Sequence, residues 1–328
     1  MDNAHDRIQV LGISNAIVDI LAHVDEAFLA RIGAPRGSMT LIDEHQAREI
    51  YEMMGPATEM SGGSVANTVA NFASLGGRAS YIGRVKADQL GNIFVHDMQS
   101  LGVDVRLSPA VDGAPTARSH ILITPDGQRT MQTYLGACTE LGTADVTGDT
   151  VDHPEIVLLE GYVWDIPEGP ALAAEAMRIA TERSARIALS LSDSFCVARH
   201  RDEFLAAVRQ SVDIVFADED EAIALLQVDD FDEVARAAPD FGKLFVITRS
   251  EKGSVIIHRD LKFAQEAIPV RKVIDTTGAG DAYTAGFLYG LTNGEPLAEC
   301  ARLGTRCATG VIQKVGARID REMLEASA

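Results

Sequence analysis

Nine consecutive residues, Val273-Ile274-Asp275-Thr276-Thr277-Gly278-Ala279-Gly280-Asp281, hold the densest chemistry of the chain. A β-like entry runs into three small residues and then an acid that opens a helical stretch. Gly278, Ala279 and Gly280 let the backbone fold tightly, with several N–H groups in one concavity at the positive end of that helix. Such a concavity holds a phosphate. Asp281 stands beside it in the first helical turn, where a carboxylate can accept the proton of a hydroxyl attacking a phosphoryl group. Phosphoryl transfer asks little more of a protein than positioning and charge neutralisation.

Two other readings of the string compete with this one. An aspartate at this place is also an ordinary helix cap. A dinucleotide site fails, because the third glycine of GxGxxG falls on Tyr283 and the string lies near the C-terminus, not after the first strand. No GxxxxGK[ST] phosphate loop occurs anywhere in the chain.

The elements that must position this string follow an α/β rhythm. Candidate strands are Ile8–Ile13, Ala79–Ile82, Ile156–Leu159, Ile187–Leu191, Asp213–Phe216, Leu244–Thr248 and Ser254–His258. Helical patterns occupy Ser64–Leu75, Gly91–Leu101, Pro170–Arg183, Arg201–Ser211, Glu219–Leu226, Gly280–Thr292 and Pro296–Gln313. Strands alternating with helices predict βαβ units around a central, mostly parallel sheet flanked by helices. One stretch breaks the rhythm: Arg118–Thr124 and Thr130–Leu135 are strand-like and joined by a turn-rich Pro125–Arg129. With Gly37–Ile42 they predict a small antiparallel sheet, a lid over a site at the carboxyl ends of the core strands. The expected organisation is one α/β domain over residues 1–328, with lid segments near 15–42 and 104–138.

Composition narrows the class of partner. The 328 residues are 46% hydrophobic and 23% charged, an ordinary globular mixture with a sizeable core. The balance of 29 basic against 48 acidic residues gives −19, a field that repels nucleic acid and anionic membrane surfaces. A small anion remains compatible, since local N–H groups can hold phosphate inside an acidic protein. The longest apolar runs, such as Ile156–Leu159, are far too short to cross a membrane, and Met1–Asp6 lacks the features of a signal peptide. A cytoplasmic location is therefore expected. Cys138, Cys196, Cys300 and Cys307 are scattered without a CxxC pair and read as reduced core thiols. No histidine spacing suggests a structural metal; Cys196 and His200 could share a helix face, which is more often packing than ligation.

The string around Asp281 resembles the C-terminal signature DTxGAGD of the ribokinase-like, phosphofructokinase-B type carbohydrate and nucleoside kinases. Gly62-Gly63-Ser64-Val65-Ala66-Asn67 resembles their N-terminal signature GGxxxN, followed by a helix and Leu75-Gly76-Gly77. Tyr81–Val85 resembles the strand that comes next. The likeness spans essentially the whole chain, and it implies a substrate hydroxymethyl activated by Asp281. The transferring phosphate would lie on the N–H groups of Gly278, Ala279 and Gly280.

Within that family several segments resemble adenosine kinases more than sugar kinases. Gly12–Asp19 has their longer N-x-x-x-D spacing, and Ser64 stands where ribokinases carry lysine. Leu191-Ser192-Asp193-Ser194-Phe195 is similar to LSxPF, Phe216–Ala222 to FxNExEA, and Pro296–Cys300 to PLxEC. The resemblance implies a ribose held by Asn15, Asp19, Gly62, Gly63, Ser64 and Asn67. Carboxylate and amide groups suit vicinal hydroxyls, although Asn15 and Asp19 are also ordinary turn residues. Phe195 would pack on the base, and Trp164, near a strand end, is a weaker pocket candidate. Arg129 would be a lid arginine near the transferring phosphate. Thr248, Ser250 and Gly253, with Gly278 and Gly280, would bind ATP; Ser250 stands where the family pattern has glycine. Glu221 would hold Mg²⁺ through water, with Asp218 replacing the usual asparagine, and Asp275 would help hold a monovalent cation such as K⁺. The expected activity is ATP-dependent phosphorylation of a nucleoside 5′-hydroxyl, adenosine to AMP. A sugar kinase of the same fold and a non-catalytic nucleoside-binding protein are the alternatives. The resemblance leaves open a monomer or a homodimer formed through the lid.

Overall fold

The apolar runs fold as strands because each can be covered on both faces. In the computed structural model, which describes residues 7–319, successive strand residues alternate between two separate hydrophobic cores. Leu11, Ile13, Val157, Leu159, Ile187 and Leu189 face one core, and Val10, Ile156, Leu158 and Ala188 face the other. That double burial is what a parallel sheet between two helical layers requires.

The strands are β1 (Val10–Ile13), β2 (Ile17–His23), β3 (Met39–Leu41), β4 (Ala57–Gly62), β5 (Ala79–Ile82), β6 (Asp104–Val105) and β7 (Ala117–Ile123). They continue with β8 (Arg129–Tyr134), β9 (Ile156–Glu160), β10 (Arg186–Ser190), β11 (Ile214–Asp218), β12 (Leu244–Thr248), β13 (Ser254–His258) and β14 (Leu261–Gln265). Nine of them form one sheet in the order β14-β13-β12-β11-β10-β9-β1-β5-β6. Pairing is parallel from β6 to β12 and antiparallel in the β12–β13–β14 meander. This is the expected mostly parallel α/β core.

The second sheet, β3-β8-β7-β2-β4, has five strands and is mixed. The hairpin β7–β8 is antiparallel as expected, but β2–β7 and β3–β8 pair in parallel. The purely antiparallel expectation is thus corrected: β2 and β4 join it by long-range pairing that no local turn announces. Segments 15–42 and 104–138 contain four of the five strands. β4 lies between them, and Asp104–Val105 pairs with the large sheet instead.

Two helices begin at the glycine-bearing strings. The first runs over Ser64–Ser74 directly after β4, and the second over Ala279–Thr292; the two pack against each other. The second starts at Gly278, whose left-handed φ of 73° turns the chain into the helix.

Candidate active site

The two strings meet across the packed helices. Asp281 lies in the first turn of its helix, and Ser64 and Asn67 lie in the first turn of theirs. The Ser64 hydroxyl donates to Asp281 Oδ1 at 2.7 Å, and Asn67 Nδ2 donates to Oδ2 at 3.1 Å. Both carboxylate oxygens are thereby fixed. Burial pushes the Asp281 carboxyl up to about 6, against the lowering effect of these two donors and of Arg318. At neutral pH roughly nine-tenths of such a group is ionised and able to take a proton.

The N–H groups beside Asp281 divide unequally. That of Ala279 bonds the Thr276 carbonyl at 3.1 Å. Those of Gly278, Gly280 and Asp281 have no backbone acceptor among the described residues, and no side chain caps this helix. Of the three N–H groups expected to meet a phosphate, those of Gly278 and Gly280 are thus open, as is that of Asp281, whereas that of Ala279 is engaged. A Cβ on Gly278 would lie 2.3 Å from Ala317 Cβ, so the loop and the C-terminal segment close on each other only with glycine there.

Asp19 sits within β2, not in a turn, and presses against Gly62. Burial raises its carboxyl to about 7; Arg318 and Arg129 lower it and Asp281 raises it further. Gly63 takes a φ of 94°, and a Cβ there would meet the Asn15 carbonyl at 2.6 Å. Asn15 donates through Nδ2 to the Tyr162 carbonyl at 3.4 Å, while its buried Oδ1 has no partner. Asn15, Asp19, Gly62, Gly63, Ser64, Asn67 and Asp281 thus form one connected cluster.

Arg129, on β8, reaches from the small sheet to the loop before Gly278. Its guanidinium pairs with Asp275 Oδ2 and donates to Thr277 Oγ1 at 3.1 Å. Asp275 also accepts from the N–H of Thr277 at 3.0 Å and of Gly316 at 2.8 Å. Arg129 thus sets a positive charge against Asp275, the carboxylate expected to help hold a monovalent cation.

Other expected residues stand further off. Glu221 forms a capping box with Asp218, each side chain accepting the other's N–H, at 2.9 and 2.8 Å. Burial, then Asp218, Asp193 and Asp220, raise its carboxyl to about 8. An all-oxygen donor set of this kind suits Mg²⁺ held through water, and a bound cation would favour the ionised form of Glu221. No group of three or more His, Cys, Asp or Glu residues among the described residues forms a direct metal cage. Thr248 ends β12, and Ser250 and Gly253 lie on the β12–β13 connection, where Ser250 adopts a left-handed φ of 50°. Gly253 is forced, because a Cβ would fall 2.0 Å from the Gln265 carbonyl. Phe195 is 77% exposed at the start of the helix Ser194–Gln210, so it offers a free ring face. No hydrogen bond or ion pair among the described residues joins these groups to Asp281.

Trp164 is not a pocket residue. It is 4% exposed and meets Phe204 edge-on at 5.0 Å, which places it in the core. His200 bonds Asp165, and all four cysteines are free and buried.

Two site residues carried no sequence signal. Glu160 closes the apolar run of β9 and is almost wholly buried. It accepts the N–H of Asn15 at 3.1 Å and of Val65 at 3.0 Å, joining the β1–β2 connection to the helix that carries Ser64. Burial raises its carboxyl to about 7. Arg318 is a lone basic residue in the tail; it donates to Asn67 Oδ1, to the Ser61 carbonyl at 2.6 Å and to Ser61 Oγ at 2.7 Å.

The architecture and this cluster define a phosphotransferase that acts on a hydroxyl group. The chain belongs to the pfkB family of carbohydrate kinases, whose pattern matches residues 53–323. Adenosine kinase from Sinorhizobium meliloti superposes with a TM-score of 0.90 at 47% identity, over 98% of each chain. A probable sugar kinase from Rhizobium etli superposes equally well, TM-score 0.90, at 45% identity over 98% of each chain. Cytidine kinase from Thermococcus kodakarensis is 29% identical over 271 residues, 80% of this chain and 91% of its own length. The protein is accordingly a nucleoside or sugar kinase of this family, whose members use ATP as co-substrate, generally with Mg²⁺. No helix among the described residues is long and apolar enough to cross a membrane.

Proposed function

We propose that the protein transfers the γ-phosphate of ATP to the 5′-hydroxyl of adenosine, giving AMP and ADP. The observation that carries this reading is the buried Asp281 carboxylate, gripped by Ser64 and Asn67 beside the open N–H groups of Gly278 and Gly280. An acceptor hydroxyl placed there loses its proton to Asp281 as its oxygen bonds to the γ-phosphorus. The bond from that phosphorus to the β–γ bridging oxygen breaks, and ADP leaves with the electron pair. The N–H groups hold the charge of the transferring phosphoryl group, and Arg129 adds a positive charge at the same loop.

Asp19 is the group for vicinal ribose hydroxyls, with Asn15 and Asn67 beside it. The unpartnered Asn15 Oδ1 has the unmet hydrogen-bonding capacity of a ligand contact. Phe195 would stack on the base, its free ring face being what stacking requires. Thr248, Ser250 and Gly253 would line the ATP side, and Glu221 would hold Mg²⁺ through water. When bound, that ion would screen the phosphate charges. The five-stranded sheet, bearing Asp19 and Arg129, would act as the cover that excludes water as a rival acceptor. Likeness to the Sinorhizobium meliloti adenosine kinase supports a nucleoside acceptor.

The test is ADP release with MgATP across adenosine, inosine, guanosine, ribose, fructose and tagatose. Preference for adenosine is the expected result. Turnover with a free sugar alone would keep Asp281 as base and make the sugar reading, favoured by the likeness to the Rhizobium etli protein, the right one. Binding of adenosine without ADP release would leave only a nucleoside-binding protein.

A further inference from the structure

Asn67 has an amide whose two ends look almost alike, yet only one orientation can serve Asp281. A carboxylate accepts hydrogen bonds and never donates them when ionised, so the amide must present its NH₂ end. Something must hold the other end the right way round. Arg318 does so: a guanidinium is donor-only, it meets Asn67 Oδ1, and the NH₂ is left pointing at Asp281 Oδ2. An inverted amide would set donor against donor at Arg318 and acceptor against acceptor at Asp281.

Arg318 is itself held from three sides. Its second nitrogen donates to the Ser61 carbonyl and hydroxyl, on β4 of the small sheet. The Ser61 hydroxyl and N–H in turn donate to Asp97 Oδ2, on the helix Gln89–Ser100. The flanking tail is clamped by Asn71, which donates to the Ala317 carbonyl at 2.9 Å and accepts from the Ile319 N–H at 2.8 Å. Donation therefore runs one way from Arg318: through Ser61 to Asp97, and through Asn67 to Asp281.

We propose that Arg318 is a positioning residue for phosphoryl transfer, fixing the Asn67 amide so that Asn67 can aim the Asp281 carboxylate. The inference rests on the kinase reading of Asp281. Charge supports it. The charged groups facing Asp281 and its neighbour Asp19 are Arg318 from the tail, Arg129 from β8 and Glu160 from β9, with Asp97 behind Arg318. Arg318 is the cation that lowers both Asp19 and Asp281, against the burial that raises them. Neutralising it moves both carboxyls upward.

Arg318→Gln and Arg318→Lys test the proposal, with kcat, KM and the pH profile measured on the best acceptor of the panel. Aspartate side-chain ¹³C NMR supplies a readout independent of turnover, the Asp281 signal being the one missing in Asp281→Asn. In Arg318→Gln, kcat is expected to fall about tenfold to a hundredfold, as misplacement of a reacting group does. Acceptor KM should change less, and both the acidic limb of kcat and the Asp281 titration should move to higher pH. Arg318→Lys keeps the charge and loses the forked geometry, so it should lose kcat while the limb stays near its wild-type place. If Arg318→Gln does not fold, Arg318→Lys decides: kcat within twofold of wild type overturns the proposal. A folded Arg318→Gln with unmoved kcat and unmoved Asp281 titration overturns it as well. Should the wild type turn over no acceptor at all, the kinase reading fails separately, and with it the positioning role.

Discussion

The carboxylate of Asp19 fills the space in which a side chain on Gly62 would stand: a Cβ there would lie 2.3 Å from Asp19 Cγ. The two residues lie diagonally across neighbouring strands: Gly62 of β4 pairs with Ile17 of β2, two residues before Asp19, which itself pairs with Met60. The glycine is thus needed by its neighbour's side chain rather than by its own backbone. Gly62→Ala should rotate Asp19 away while the strand survives. Acceptor KM is expected to rise about tenfold or more, with a stability loss in the overpacking range of ~1–3 kcal/mol. Steady-state kinetics and thermal denaturation check both; an unaltered KM would remove Asp19 from the acceptor site.

Asp281→Asn should abolish most turnover, roughly 10²–10⁴-fold, with little change in acceptor binding by calorimetry. Asparagine keeps the shape but has no capacity for the hydroxyl proton, and its amide NH₂ conflicts with one of the donors Ser64 and Asn67. In the wild type, the carboxyl pushed up to about 6 predicts that kcat falls as pH drops through that value. Retained turnover in Asp281→Asn would sink its role as base.

Much of this was legible in the amino-acid order, for a physical reason. The inner strands of the large sheet are buried on both faces and are therefore written as largely apolar runs, whereas its edge strands β6 and β14 are exposed and carry no such signal. Gly278–Asp281 is a local string that sets small residues and an acid at a helix start. The small sheet is different. β2 shows alternate burial along its length, and its partners, β4 and β7, are far away in sequence, so Asp19 reads locally like a turn residue. Glu160 looks like the polar end of a strand, and Arg318 like one more tail cation. Their roles exist only once β9, Ser64–Ser74 and residues 316–319 have converged. Trp164 misled in the opposite direction, since nearness to a strand end does not separate a pocket wall from the core beneath it.

Asp19→Asn should make the ligand-free protein more stable at alkaline pH. In the fold this carboxyl is raised to about 7 by burial, whereas in the unfolded chain it titrates near 4. Between those values the folded protein binds the extra proton, so stability falls as pH rises through the window and stays low above it. Removing the charge relieves that loss. The melting temperature of Asp19→Asn is expected to exceed that of wild type most at pH 8, by less near pH 5, and to match it only below about pH 4, while acceptor KM rises. Equal gains at all three would show that the burial of charge is not the cause.

Ser250→Gly tests the one place where the ATP-side turn departs from its family's pattern. Ser250 holds a φ of 50°, a left-handed conformation that costs a residue with a Cβ ~1 kcal/mol and a glycine almost nothing. The Gly253 N–H bonds the Ser250 carbonyl at 3.1 Å, so the turn keeps its backbone closure whichever residue stands there. Glycine's larger freedom in the unfolded chain offsets part of the relief. The net expectation is a gain of about 0.5 kcal/mol, read as a small rise in melting temperature. If the turn serves ATP through its backbone, KM for ATP should stay within about twofold, because the backbone path is unchanged. A rise in that KM without a loss of stability would instead give the Ser250 hydroxyl a direct part in holding the phosphates.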